Sequence, residues 1–410
     1  MRSDILEFYK AQIEDDFVPY WKKFEDSENG GILNCINNYG DKKISDNKFI
    51  WSQGRYLFIL GKLYELEKNK LLENINSKHI RAHMDKTYNF ISKYGIYDDK
   101  CCYLVDYKGN KLIDEKTGRY DASIFADCFA VIGMAQYANI IESREAALEA
   151  YRLYKSVVKR IGENNYLTEP YPIPDGYKVH SIPMILINTT YEIIRMLKKI
   201  GFDFEDEIQF GLSQIDTIMT VFYDDGLIRE HVSTSENYET RLLDRHINPG
   251  HTLEDLWFII EFLKDYDDVE PYLEKIIYIA KKTFDLGWDK EYDGLLRFVD
   301  KEGGVPKGEY NGSDYEKLIL DTNDMKLWWP HSEILYLFLF LYELSGDEEM
   351  MTYYEKASNY VFDTFPNKEI GEWIQIRKRD GSPEDKLVAL PVKDPFHILR
   401  NYIKIVELGK

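Results

Sequence analysis

Residues 248–263, NPGHTLEDLWFIIEFL, join a turn dipeptide, Pro249-Gly250, to an apolar helix whose first turns carry His251 and Glu254. Residues three apart share a helix face, so an imidazole and a carboxylate stand together at a helix N-terminus. The rest of the segment is apolar nearly all round (Leu253, Leu256, Trp257, Phe258, Ile259, Ile260, Phe262, Leu263), and such a helix must be covered on more than one side. What covers it, and how often its like recurs, decides the fold.

It recurs throughout the chain. Apolar helices are expected over 47–67 (WSQGRYLFILGKLY), from Ile124 (IFADCFAVIGMAQYA), from Ile182 (IPMILINTTYEII), from Glu333 (EILYLFLFLYEL) and from His397. Between them, 3–24, 75–94, 143–162, 203–222, 269–285 and 347–365 have apolar positions at helical spacing against Lys and Glu, which predicts helices with one wet face. After each wet helix comes a turn-and-strand segment, for example NGGILNCINNYGD, YDDGLIREHVS or EIGEWIQIRKRDGS. These segments recur about every 60 to 80 residues, and a repeat of that kind takes precedence over a domain count from length. The pattern predicts an all-α protein: residues 1–410 as one (α/α)6 barrel domain of six helical hairpins, dry helices inside, with short β-strand segments at one mouth. An open solenoid would keep a polar concave face, which these inner segments are too apolar to supply.

Composition narrows the function. With 72 acidic against 52 basic residues the formal charge is −20, which argues against nucleic-acid or anionic-membrane partners. The first residues, MRSDILEFYKAQIEDDF, put acids where a signal peptide needs an apolar core, and no later stretch is expected to span a membrane free of charges, so a cytoplasmic protein is expected. Cys35, Cys101, Cys102 and Cys128 have no CxxC spacing and suggest neither a zinc site nor a disulfide framework.

In such a barrel, functional groups belong at the N-termini of the inner helices, and polar residues are found there. Arg55 follows Gly54, His251 and Glu254 open the central stretch, Glu333 follows KLWWPHS, and His397 with Arg400 follows DPF. Each also has a structural reading: His251 can cap and fill, Arg55 can close a buried ion pair, and Glu333 can favour the helix dipole. Trp51, Trp257, Trp328, Trp329 and Trp373 fall near the same openings, where aromatic faces suit sugar rings. His180, His79 and His83 receive no role, and His331 is read as a helix-start or supporting residue. HExxH, GxSxG, Walker and strand-linked GxGxxG motifs are absent. A metal site of His251, Glu254 and His397 stays as a minority alternative, weakened by the lack of an HxH pair.

Two histidines facing each other across a ring suit one chemistry in particular. Imidazole exchanges protons near neutrality, so one can take a proton from a substrate carbon and the other return one to the opposite face. The enediolate formed between these steps needs a fixed cation, for which Arg55 is placed, with Arg400 as support. Glu254 is expected to hold and polarise His251, and Glu333 to bind hydroxyls or assist ring opening.

WSQGRYLFILGKLY, HINPGHTLEDLWFIIE, KLWWPHSEILYLFLFLYELSGD, EIGEWIQIRKRDGS and PFHILR, in that order, resemble the signature segments of the N-acylglucosamine 2-epimerase (renin-binding protein) family. The resemblance implies an (α/α)6 barrel, often a homodimer, that interconverts small sugars epimeric at C2 without metal or redox cofactor. By motif it implies functional roles for Arg55, His251, Glu254, Glu333, His397 and Arg400, with the two histidines as the acid/base pair. Related cellobiose 2-epimerases and mannose isomerases carry a further inner-helix histidine where this chain has Met184 and Ile185, which favours the N-acyl branch. LPVKDP before His397 and Leu399 depart from the family pattern and bear on the substrate. Some N-acyl epimerases are nucleotide-activated, but no nucleotide loop is recognisable here. A glycoside hydrolase or a non-catalytic binding protein on the same barrel are the remaining alternatives.

Overall fold

The apolar segments become helices buried nearly all round, and the amphipathic segments become helices that cover them. In the computed structural model, which describes residues 2–234, 240–386 and 388–409, α1 runs through Ser3–Ala11, a π-helical stretch Gln12–Phe17 and Val18–Lys22. Next come α2 (Ile50–Lys68), α3 (Ser77–Phe90, extended by the π-turn Ile91–Gly95), α4 (Ile124–Ile141) and α5 (Arg144–Gly162). They are followed by α6 (Ser181–Ile200), α7 (Glu205–Thr217, extended by the π-turn Ile218–Phe222), α8 (Pro249–Tyr266) and α9 (Glu270–Gly287). The chain closes with α10 (Trp328–Ser345), α11 (Glu348–Thr364) and α12 (Phe396–Leu408). Side-chain caps start several of them: Ser143 accepts from the Ala146 amide, Asn248 from His251 and Asp347 from Glu349. Gly201 and Gly346, at φ +80 and +66, end α6 and α10 in the left-handed conformation that glycine adopts without a Cβ penalty.

The even-numbered helices form the inner ring. α2 packs on α4, α4 on α6, α6 on α8, α8 on α10, α10 on α12, and α12 returns to α2. Every inner helix therefore has two inner neighbours, and the ring has no free end, as a closed (α/α)6 barrel requires and an open solenoid does not. Each odd helix from α3 to α11 backs the inner helix before it, while α1 backs α12. The α2–α4 crossing is the tightest: a Cβ on Gly54 would lie 2.3 Å from the Phe129 carbonyl oxygen, and one on Gly133 would lie 2.3 Å from the Gly54 carbonyl oxygen.

Short strands stitch the mouth where the inner helices begin. Lys48–Phe49 pairs antiparallel with Leu104–Val105, Tyr177–Val179 with His231–Ser233, His246–Ile247 with Val299–Asp300, and Lys326–Leu327 with Ile376–Arg377. In each case the residues entering an inner helix are tied to a connection farther along the chain. Two short helices, Leu242–Arg245 and Asp314–Thr322, also lie in these connections; the second is announced by a capping box between Ser313 and Glu316.

α4 is long and apolar enough, by length and composition, to cross a membrane. Its apolarity has another cause here, because α4 lies in the inner ring between α2 and α6 and is covered outside by α5.

Candidate active site

The inner-helix N-termini surround a cavity of about 250 Å³. Arg55, His251, Glu254, Trp329, His397 and Arg400 line it, together with Trp51, Trp328, Glu230, Asn248 and Asp394. An outer, more apolar wall comes from the mouth connections, including Tyr171, Phe298, Tyr315 and Leu318. Met184 and Ile185 of α6 and Phe125 and Phe129 of α4 complete the inner wall.

His397 stands in the first turn of α12, with its backbone amide 3.4 Å from Asp394 Oδ2. Its Nδ1 is 2.7 Å from Glu333 Oε1. A carboxylate accepts, so Nδ1 carries the proton and Nε2 the lone pair. Burial pushes this imidazole down to about 3; Glu254 offsets part of that, while Arg55 and Arg400 add to it. At neutral pH His397 is therefore an uncharged base.

His251 stands in the first turn of α8, where its amide donates to the Asn248 side chain. Its Nδ1 lies 3.0 and 2.9 Å from the two oxygens of Glu230, which again leaves Nε2 free. Glu230 reaches this place because the strand that follows it pairs Val179 with His231, and the His180 amide donates to the Glu230 carbonyl at 2.9 Å. Burial opposes ionisation of Glu230, yet His251 and His180 hold its carboxyl well below the usual range. The Trp329 ring is near both imidazoles, its centroid 5.2 Å from that of His251 and 5.7 Å from that of His397. Glycine is required beneath it: a Cβ on Gly250 would come within 2.5 Å of the Trp329 ring.

The cations are caged. The Arg55 guanidinium lies 4.0 Å from the Phe129 ring centroid and 5.0 Å from that of Phe396, and its Nη1 is 3.4 Å from Asp394 Oδ1. Burial lowers it to about 10, with Asp394 and Glu254 countering, so it stays a cation at neutral pH. Its buried Nε has no hydrogen-bond partner. Arg400 donates through one nitrogen to Glu254 Oε1 and, at 2.6 Å, to Glu333 Oε1. Glu254, Glu333 and His397 form the cluster of metal-type donors found among the described residues. The Arg400 guanidinium already supplies the positive charge there, which makes the set a poor fit for a metal ion.

Several sequence expectations therefore change partners. Glu254 does not hold His251; Glu230 does, and Glu254 turns to Arg400, whose fixed charge attracts it more strongly than a neutral imidazole would. Glu333 does not face the cavity. It is fully buried behind His397 and Arg400, and it also accepts from Trp257 Nε1 at 2.8 Å, so no position is left for a sugar hydroxyl. Of the five tryptophans, Trp51, Trp328 and Trp329 line the cavity, whereas Trp257 and Trp373 are core residues. His331 is structural: its Nδ1 donates to the Leu327 carbonyl at 2.6 Å and its Nε2 accepts the Leu295 amide at 2.9 Å. Sequence reasoning did not single out Glu230 or Asp394, and it gave His180 no role. The one hint was a Glu-His dipeptide inside the turn-and-strand segment YDDGLIREHVS.

Residues 30–400 match the family model described as N-acylglucosamine 2-epimerase (GlcNAc 2-epimerase). The chain is 26% identical to N-acylglucosamine 2-epimerase of Mus musculus over 97% of this chain and 91% of that one. It is 24% identical to cellobiose 2-epimerase of Ruminococcus albus, over 98% of each. Among solved structures, cellobiose 2-epimerase from Bacillus thermoamylovorans superposes with a TM-score of 0.78 at 20% identity, covering 99% of this chain and 100% of that one.

Proposed function

The chain belongs to the N-acylglucosamine 2-epimerase family, and from that membership and the geometry of the cavity we propose that it inverts C2 of a ring-opened aldose by proton transfer between His251 and His397. One observation carries this reading: both imidazoles line one cavity beside the same tryptophan, each with Nδ1 tied to a buried carboxylate and Nε2 free. One histidine removes the C2 proton, and the C–H electron pair enters the C1–C2 bond while the C1 carbonyl oxygen takes the negative charge. Arg55, with its unpartnered Nε, stabilises that oxyanion, supported by Arg400. The other histidine delivers a proton to the opposite face, the carbonyl re-forms, and the two imidazoles end with exchanged protonation states. Glu230 and Glu333 keep each ring in the tautomer and orientation that the transfer requires.

The substrate pair proposed is an N-acylglucosamine and its N-acylmannosamine epimer. The named activity of the relatives supports it, as do the apolar side chains of Met184, Ile185 and Phe129 in the cavity wall, which suit an acyl methyl group. The proposal includes one domain over residues 1–410, a homodimer, a cytoplasmic location and no metal, redox or nucleotide cofactor, the cation at the oxyanion being an arginine.

Incubating N-acetylmannosamine with the enzyme in deuterated water tests it. The expected product is N-acetylglucosamine with deuterium at C2, because the donating imidazole exchanges with solvent. Epimerisation without label would contradict the two-base route, and a ketose labelled at C1 from mannose, whose C2 carries a hydroxyl, would mean aldose–ketose isomerisation. Mannose and cellobiose, run beside it, decide the substrate.

A further inference from the structure

Behind His251 lies a line of alternating acids and bases that the proposed reaction does not itself use. Glu230 touches His251 on one side; on the other, its Oε2 is 3.8 Å from Nδ1 of His180. His180 Nε2 is in turn 2.9 Å from Oδ2 of Asp255, one helical turn beyond His251 on the same face of α8. His180 is 1% exposed and Asp255 fully buried, and the Phe222 ring packs against the imidazole, so no water screens the line. An imidazole between two buried carboxylates is favoured as the cation: Nε2–H donates to Asp255, while Nδ1, which has no hydrogen-bond partner, meets Glu230 at 3.8 Å through charge alone. Burial opposes that charge, but Asp255 and Glu230 outweigh it and raise His180 to about 9.

We propose that His180 and Asp255 are positioning residues for the proton transfer at His251: the buried imidazolium, anchored on Asp255, shares the charge of Glu230 and so limits how tightly Glu230 holds a proton on the His251 ring. A base backed by an unshared buried carboxylate would bind its proton strongly and release it slowly. General acid–base efficiency is greatest when proton affinity lies near the working pH. The line tunes one of the two bases in this way. His397 is tuned differently, by Arg400, which shares Glu333 with it.

The other groups facing Glu230 leave His180 as the cation available to share its charge. His231 and His246 pack near it from the strand and the connection before α8, and burial pushes His231 down to about 3 and lowers His246, so both are neutral. Burial likewise keeps the Tyr315 hydroxyl protonated. On α8 itself, Glu254 has its own cation in Arg400.

The inference rests on the proposed role of His251, but its first test does not need a substrate. In full-length protein with 13C-labelled histidine, the His180 ring, assigned by its loss in His180→Gln, is expected to keep its imidazolium shift past pH 8. In His180→Gln, the His251 ring, assigned through His251→Gln, is expected to titrate about one pH unit higher than in the parent protein, the size expected for loss of a unit charge at roughly 7 Å in a partly shielded site. His180→Gln/Asp255→Asn removes one cation and one anion and should bring the midpoint back towards the parent value. With N-acetylmannosamine and N-acetylglucosamine as substrates, the limb of the kcat/KM profile that reports His251 should shift by the same amount in both directions. A purely structural ion pair would lower the melting temperature and leave these midpoints in place. The proposal is overturned if His180 titrates below pH 6 in the parent protein, or if the His251 midpoint is unmoved in a folded His180→Gln variant. Absence of turnover with every sugar tried would instead sink the proposed function, and the titrations would still decide this inference.

Discussion

The two carboxylates behind the histidines carry a prediction that separates what the sequence suggests from what the structure shows. If Glu333 bound sugar hydroxyls, Glu333→Gln would raise KM. Buried behind His397 and Arg400, it should act on the chemical step instead. A glutamine there keeps the volume but removes the charge that holds the Nδ1–H tautomer and partners Arg400. The expected result is a loss of kcat of about 10²-fold or more with KM changed no more than a few-fold. A KM effect larger than the kcat effect would return Glu333 to the cavity wall. The residue-level errors of the sequence reading share one cause. His251 and Glu254 are neighbours on one helix, so the spacing suggests a pairing that the structure does not contain. Glu230 and Glu333 meet their histidines across strand pairings and across the ring, 21 and 64 residues away, and helical periodicity says nothing about such contacts.

At the scale of the element, the dry-and-wet alternation was legible because it is a direct record of burial. An inner helix is covered on every side, and the chain must spend apolar residues all round it. The expected outer helices at 143–162 and 347–365 are found as Arg144–Gly162 and Glu348–Thr364. The π-turns at Ile91–Gly95 and Ile218–Phe222 were not legible, since one extra residue in a turn leaves no mark on an amphipathic pattern. Nor was the close approach of α2 and α4, although it places a functional residue: Arg55 follows Gly54, and its guanidinium lies on Phe129, whose carbonyl Gly54 nearly touches. Gly133→Ala is therefore expected to push the two helices apart at Gly54. In urea unfolding it should lose about 1–3 kcal/mol, the usual range for overpacking, with the m-value unchanged. Its kcat/KM should fall further than that of an equally destabilised outer-helix variant, because the shift moves Arg55. Full stability and full activity would show that the crossing tolerates a methyl group.

For the whole molecule, the many buried histidines set how stability responds to pH, and the sign differs among them. His231, His331 and His397 are each pushed down to about 3 in the folded protein, principally by burial, against an ordinary value of 6.5. Between those limits the unfolded chain binds protons that the native one does not, so stability must fall as pH drops below about 6.5. Each such proton contributes roughly 1.4 kcal/mol per pH unit, and the buried Asp127, raised to about 6 chiefly by burial, opposes them by taking up its own proton in the native state. His180 acts on the other side. Its folded value of about 9 exceeds the ordinary 6.5, so its contribution is fully present below about 6.5 and is lost as pH rises through 9. Thermal unfolding followed across pH 4 to 10 should therefore show a maximum near pH 6.5 to 7 and decline in both directions. His180→Gln should flatten the alkaline decline while leaving the acid one, because burial, not His180, holds down the histidines that cause the acid decline. An unchanged alkaline decline in that variant would mean that His180 does not carry the proton on which this curve depends.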